Sequence, residues 1–253
     1  MLHNPTINKL QALKLSGMLK AYQHQQQTKN INELSFDDRL GLLIDNEMTD
    51  RENRKLTTRL KLAKLKQQVC LEDIDLSFNR GVDKSTIKAL SQCQWIKEMY
   101  NVLITGPTGS GKTYLACALA QKACRIEYTA MYLRAPRFFE DLTISRADGS
   151  YKRLLNKLAK INLLIIDDFG LVKPNYDNSR DLLEVIDDRY KKNSTIITSQ
   201  LPIENWHEVL GNPTIADAIL DRVVHISYKL NLTGGSMRKK DKPLQLQTDK
   251  ENI

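Results

Sequence analysis

One octapeptide constrains this chain more than any other feature. Gly106-Pro107-Thr108-Gly109-Ser110-Gly111-Lys112-Thr113 satisfies the pattern GxxxxGK[ST] at every fixed position. Such a loop works by aiming backbone N–H groups and the positive end of a helix at phosphate oxygens, so it needs a strand before it and a helix after it. Both are legible: VLIT at 102–105 reads as a short buried strand, and 114–122 reads as a helix. Glycines at 106, 109 and 111 let the backbone curl inward, with Pro107, Thr108 and Ser110 completing the cradle. Lys112 is expected to reach the β- and γ-phosphates. The Thr113 hydroxyl is expected to ligate Mg²⁺, a hard cation that takes oxygen donors.

A phosphate site of this kind needs a second metal anchor at the carboxyl end of a neighbouring strand. Leu163-Leu164-Ile165-Ile166-Asp167-Asp168 supplies one. Four consecutive apolar residues suit a strand covered on both faces, and two carboxylates at its end are costly unless they meet a cation or water. Asp167 is expected to share Mg²⁺ with Thr113, and Asp168 to polarise the attacking water as general base. Asp168 is one methylene shorter than a glutamate, which argues for slow turnover. Two further strand ends are polar. TIITSQLP closes in Thr198, Ser199 and Gln200, of which Ser199 and Gln200 are the favoured γ-phosphate sensors. In DAILDRVV, Arg222 stands at a helix-to-strand junction, where it reads either as an arginine finger for an adjacent subunit or as a partner of Asp217 or Asp221.

Past residue 101, short apolar runs at 102–105, 130–133, 161–166, 195–198 and 223–227 alternate with segments of helix length. Five buried strands so spaced predict an α/β fold, a parallel sheet flanked by helices. The first 70 residues read differently. Ile7, Leu10, Leu13, Met18 and Ala21 recur at helical spacing. Ser35-Phe36-Asp37-Asp38 then opens a second helix with a capping pattern, continued by Leu40, Leu43, Ile44, Glu47 and Met48. The predicted organisation is an all-helical domain over 1–70, a linker over 71–98 with a turn signal at 78–83, a nucleotide-binding domain over 99–240, and a disordered polar tail over 241–253.

Charge narrows the partners. The 253 residues hold 38 Lys+Arg against 30 Asp+Glu, a net charge of +8 that permits a polyanionic partner without requiring one. The distribution says more than the sum. Between Arg51 and Lys66 stand seven cations and a single acid, Glu52, while Leu56, Leu60 and Ala63 form only a narrow apolar stripe. That broad cationic face reads as a solvated surface or as a phosphate-contacting strip, with Arg51, Arg54, Lys55, Arg59, Lys61 and Lys64 as candidate DNA contacts. No stretch has the length and apolarity of a membrane span and no secretory leader is visible, so a cytoplasmic location is expected. Four cysteines without a CxxC pair and four histidines away from ligand spacing argue against a disulfide framework or a protein metal cage.

Taken in order, GPTGSGKTYLACALA, LLIIDDFG, TIITSQLP, ADAILDRVVHISY and GGSMRKK resemble the IstB-like ATP-binding proteins. These are helper ATPases encoded beside the transposase in certain bacterial insertion sequences, of the AAA+ class and related to the helicase loader DnaC. LLIDNEMTDRENRKL and RLKLAKLK, with Glu47, Arg51 and Arg54, are similar to the family's helical leader. The resemblance implies a five-stranded AAA+ sheet and ATP at residues 106–113, with Mg²⁺ at Thr113 and Asp167. It also implies a sensor at Ser199 and Gln200, an arginine finger at Arg222 and a second sensor arginine at Arg238. The implied role is a bacterial cytoplasmic ATPase that assembles on DNA, expected to be duplex, as an ATP-bridged homo-oligomer and recruits and stimulates a partner transposase. Two other readings stand beside it: a DnaC-like helicase loader in DNA replication, and a nucleotide-gated DNA-binding assembly protein with little hydrolysis.

Overall fold

The computed structural model describes residues 5–73, 81 and 83–234. The chain divides into two compact units, Met1–Lys61 and Leu62–Ile253.

Among the described residues three α-helices build the first unit: α1 (Pro5–Ala12), α2 (Ser16–Gln27) and α3 (Phe36–Ala63), the last two residues of α3 counting with the second unit. The helical pattern that runs from Ile7 to Ala21 is thus split in two. Lys14 takes a φ of 57°, and the N–H groups of Lys14 and Leu15 turn back to the carbonyls of Gln11 and Leu10 at 2.9 Å each, which closes α1. At the start of α3 the Ser35 hydroxyl accepts from the Asp38 N–H at 3.1 Å and donates to its carboxylate at 2.6 Å, as the capping pattern predicts. Gly17 brings α2 close to α3, since a Cβ there would stand 2.5 Å from the Asn46 carbonyl oxygen and 2.6 Å from the Glu47 Cα. This approach lets the buried Glu47 carboxylate accept the N–H groups of Gly17 and Met18 at 2.8 and 3.2 Å, which satisfies the first turn of α2.

The second unit begins with α4 (Lys84–Ser91) and α5 (Gln94–Lys97), followed by β1 (Asn101–Thr105), α6 (Lys112–Arg125), β2 (Ala130–Arg134), α7 (Ala135–Ala147) and α8 (Tyr151–Lys160). It continues through β3 (Leu163–Phe169), α9 (Tyr176–Arg189), β4 (Ser194–Ser199), α10 (Trp206–Leu210), α11 (Pro213–Val224) and β5 (Ser227–Asn231). The strands form one parallel sheet in the order β2-β3-β4-β1-β5. Side chains alternate across it. Leu103, Leu164, Ile166 and Ile197 pack with Phe138, Phe139, Leu142, Leu182, Ile186, Ile219 and Val223 of α7, α9 and α11. The opposite face meets α6, whose Leu115, Ala116, Ala118, Leu119 and Ala120 are buried.

Two expectations need correction. The apolar pair Val223-Val224 belongs to α11 and not to a strand, because Ile215, Ala216, Ile219 and Val223 hold a helical phase on the core. The fifth strand is SYKLN, an edge strand of which only Leu230 is buried. Second, 71–98 is no plain linker: α4 and α5 carry Ile87, Leu90, Trp95 and Ile96 into the interior of the second unit, and the Trp95 indole N–H donates to the Leu90 carbonyl at 3.0 Å. The turn signal at 78–83 and the tail over 241–253 lie largely or wholly outside the described residues.

Candidate nucleotide-binding site

The strand β1 is buried along its length and delivers the chain to Gly106 at the carboxyl edge of the sheet. Gly106, Gly109 and Gly111 take φ values of 143°, 84° and 98°, conformations that other residues adopt at a cost. A Cβ on Gly106 would also collide with the Leu232 carbonyl. Helix α6 then starts at Lys112, so its unpaired N–H groups open onto the loop. The Lys112 ammonium is buried and donates to the carbonyls of Gly106 and Pro107 at 2.7 and 2.9 Å. Burial pulls its pKa down from the ordinary lysine value, and the charges of Asp168 and Asp167 push the other way. Ser110 is 2% exposed and its hydroxyl has no hydrogen-bond partner among the described residues, an unsatisfied polar atom within the loop.

Asp167 is completely buried at the end of β3. Its Oδ1 accepts from the hydroxyls of Thr113 at 2.9 Å and Thr198 at 2.5 Å, and its Oδ2 accepts from the Tyr132 hydroxyl at 2.5 Å. Lys66 adds an ammonium 3.8 Å from Oδ2. Desolvation first, and then the hydrogen bond to Asp167, pushes the Tyr132 phenol well above its ordinary value, so Tyr132 stays a donor. The Thr113 hydroxyl beside a buried carboxylate is an all-oxygen pair, which fits Mg²⁺.

At Asp168 the strand breaks register and the backbone turns to a φ of 59°. The Asp168 N–H donates to the Thr198 hydroxyl at 3.1 Å, and its carboxylate accepts from Arg134 Nε at 2.8 Å. A left-handed aspartate is a local cost that the surroundings must hold in place. The expected sensors separate here. Ser199 is buried, donates to the Phe169 carbonyl at 2.7 Å and accepts from the Leu201 N–H at 3.1 Å, so its hydroxyl is committed to backbone. Gln200 lies against the loop, its Oε1 accepting from Thr108 Oγ1 at 2.8 Å.

Arg222 sits elsewhere. The Asn101 side chain, at the first residue of β1, donates to the carbonyls of Arg222 and Val223 at 3.4 Å each, whereas the phosphate loop follows the last residue. The length of β1, about 16 Å at the rise of an extended strand, separates them. The guanidinium pairs with Asp187, not with Asp217 or Asp221, and donates to the Ala218 carbonyl at 2.7 Å. Arg238 lies outside the described residues.

In the leader unit the cationic strip is partly neutralised. Arg51 Nε donates to Glu47 at 2.7 Å and Arg54 Nε pairs with Asp50 at 3.0 Å. The Arg51 hydrogen bond holds the Glu47 carboxyl below its ordinary value. Lys55 and Lys61 are exposed on the same helix, as is Lys64 just beyond it, and Lys14 joins Arg51, Arg54, Lys55 and Arg59 around an open concavity of about 620 Å³.

Lys14, Lys66, Tyr132 and Arg134 were not legible as site residues. Arg134 is paired in register with Asp167 across β2 and β3, a neighbour relation that requires the strand order. Thr198 was one of three polar residues at its strand end, and only the register shows that its side chain reaches Asp167.

A family model described as IstB-like ATP binding protein matches residues 8–245. The chain belongs to this family. A Sinorhizobium fredii protein named for insertion-sequence ATP binding is 46% identical to this IstB-like chain over 239 residues, which is 94% of this chain and 98% of the relative. A Pseudomonas fluorescens protein named as the ATP-binding protein of insertion sequence IS1162 is 47% identical over 203 residues, 80% of this chain and 88% of that protein. The crystal structure of DnaI matches with a TM-score of 0.57 at 22% identity, covering 66% of this chain and 92% of DnaI. The replication initiator DnaA bound to AMPPCP and single-stranded DNA matches with a TM-score of 0.56 at 15% identity, covering 68% and 52%. These likenesses establish the AAA+ P-loop fold of this IstB-like protein. Among the described residues no helix is long and apolar enough to cross a membrane.

Proposed function

We propose that this IstB-like protein hydrolyses ATP at the 106–113 loop and assembles through that nucleotide into an oligomer on DNA, where it recruits and stimulates a transposase. The observation that carries the reading is the position of Arg222, about the length of β1 away from the loop of its own subunit. An arginine so placed is out of reach of its own subunit's nucleotide, and on leaving Asp187 it can meet a neighbouring subunit's nucleotide across a head-to-tail junction bridged by ATP. Lys112 and the Ser110 hydroxyl bind phosphate oxygens. Thr113 and Asp167 would hold Mg²⁺, which would supply charge neutralisation at the phosphates when bound. Asp168 takes the proton of the attacking water, and Gln200 contacts the terminal phosphate beside Thr108. For the second sensor role we retain Arg238.

DNA is assigned to the leader, where Lys14, Lys55, Arg59, Lys61 and Lys64 supply phosphate contacts. On α3, Phe36, Leu40, Ile44 and Met48 are 76%, 37%, 45% and 56% exposed at a four-residue spacing, an apolar line that suits a protein partner. The names of the relatives favour a transposase over a replicative helicase as that partner.

The experiment is Arg222→Ala in the full chain. ATP affinity should stay within about twofold, while turnover falls at least about a hundredfold, as for an arginine finger, and nucleotide-dependent assembly on duplex DNA is lost. Unchanged turnover would sink the ATP-bridged junction.

A further inference from the structure

The proposed metal position at Asp167 already has a cation of the chain's own. Lys66 Nζ stands 3.8 Å from Asp167 Oδ2; the lysine side chain is 43% exposed and the carboxylate is fully buried. The segment that carries Lys66 is laid along α6 by several contacts. The backbone N–H groups of Lys66 and Gln67 lie against the Cys117 thiol of α6. Further on, the Cys70 sulfur accepts from Arg125 at 3.0 Å, and Glu72 pairs with the same arginine at 3.5 Å. Ala63, just before the turn at Lys64, is completely buried.

Asp167 has no other lysine or arginine paired to it among the described residues. Lys112 donates to the loop carbonyls, and Arg134 is bonded to Asp168. Thr113, Tyr132 and Thr198 contribute neutral hydroxyls. A buried carboxylate whose other partners are all neutral hydroxyls, with one cation beside it, is an exchange site: a divalent ion gains more there than a partly exposed ammonium does, and the two repel each other at such range.

We propose that Lys66 is a tethered counter-ion that competes with Mg²⁺ for Asp167, so that loading Mg²⁺ with nucleotide expels the ammonium and loosens the 64–70 segment from α6. This rests on the reading of Thr113 and Asp167 as the metal pair. Lys66 stands three residues after the end of α3, so the exchange ties the cation at Asp167 to the stretch of chain that follows the basic helix.

The test is the Mg²⁺ dependence of binding of a fluorescent ATP analogue to the full chain. Lys66→Gln should lower the Mg²⁺ midpoint about threefold to tenfold, the scale of one partly exposed ion pair, and Lys66→Arg should stay within about twofold of the unmodified protein. An unchanged midpoint in the glutamine variant overturns the proposal. So does weaker binding at every Mg²⁺ concentration, which would make Lys66 a phosphate ligand. A second measurement needs no variant: amide hydrogen exchange at residues 66 and 67 should quicken when Mg²⁺ is added to protein holding the non-hydrolysable analogue AMPPCP in chelator. Unaltered or slowed exchange overturns the proposal as well. If the unmodified chain binds no analogue at any Mg²⁺ concentration, the nucleotide-site reading falls first and this inference with it.

Discussion

Asp168 holds a φ of 59° between two partners, the Thr198 hydroxyl at its N–H and the Arg134 guanidinium at its carboxylate. A non-glycine residue in this region pays on the order of 1 kcal/mol, and it persists because the neighbours fix both ends. The turn separates two adjacent carboxylates: Asp167 is sealed in the sheet, while Asp168 points to Arg134 at the edge. Asp168→Asn keeps the shape and an oxygen for Arg134 but cannot take a proton. Its phosphate release should fall about a hundredfold or more with ATP affinity within about twofold, as expected on loss of a general base. Titration with a fluorescent analogue beside a phosphate-release assay checks this, and full turnover in the variant would remove Asp168 from the chemistry. The sequence motif made both acids visible; their different surroundings depend on a backbone dihedral that no residue pattern announces.

Helix α3 shows how counting charges along a sequence can mislead. Seven cations against one acid stand between Arg51 and Lys66, yet Glu47 and Asp50 lie one turn earlier and claim Arg51 and Arg54. Those acids are themselves held by α2, through the Gly17 and Met18 N–H groups on Glu47 and through Ser16 and Lys20 on Asp50. Arg51 and Arg54 therefore help fasten the leader, whereas Lys55 is an exposed cation. Two alanine variants separate these roles in a salt titration of DNA binding. Lys55→Ala should reduce the log–log slope by about 0.9, one phosphate contact, and Arg51→Ala should leave the slope nearly intact while lowering the stability of the leader helices. Equal slopes for Lys55→Ala and the unmodified chain would return that face of the helix to solvent. The same element scale explains the misplaced fifth strand. Val223 and Val224 are β-formers, but three earlier residues of α11 set a helical phase that buries Val223 without a strand.

For the whole molecule, the proposed junction makes each site a composite of two subunits, with Asp168 from one and Arg222 from the next. Neither the Asp168→Asn nor the Arg222→Ala protein should turn over alone. Mixed in equal amounts they should recover about a quarter of normal activity, because one head-to-tail junction in four then joins an intact Asp168 to an intact Arg222. No recovery on mixing would mean that Arg222 acts inside its own subunit or not at all.

The sequence alone determined the phosphate loop, the acid pair at a buried strand end, the α/β class and the helical leader. Each of these rests on covalent neighbours: glycines at set spacing, an apolar run, a capping box, a repeat of three to four residues. Tertiary structure decided the rest. Which hydroxyl reaches Asp167, which cation neutralises it, where Arg222 lies relative to the loop, and that residues 84–97 belong to the interior of the second unit all follow from strand order and register. A parallel sheet joins residues dozens of positions apart, and its order is chosen by the packing of whole helices on its faces, so it leaves no local trace in the chain.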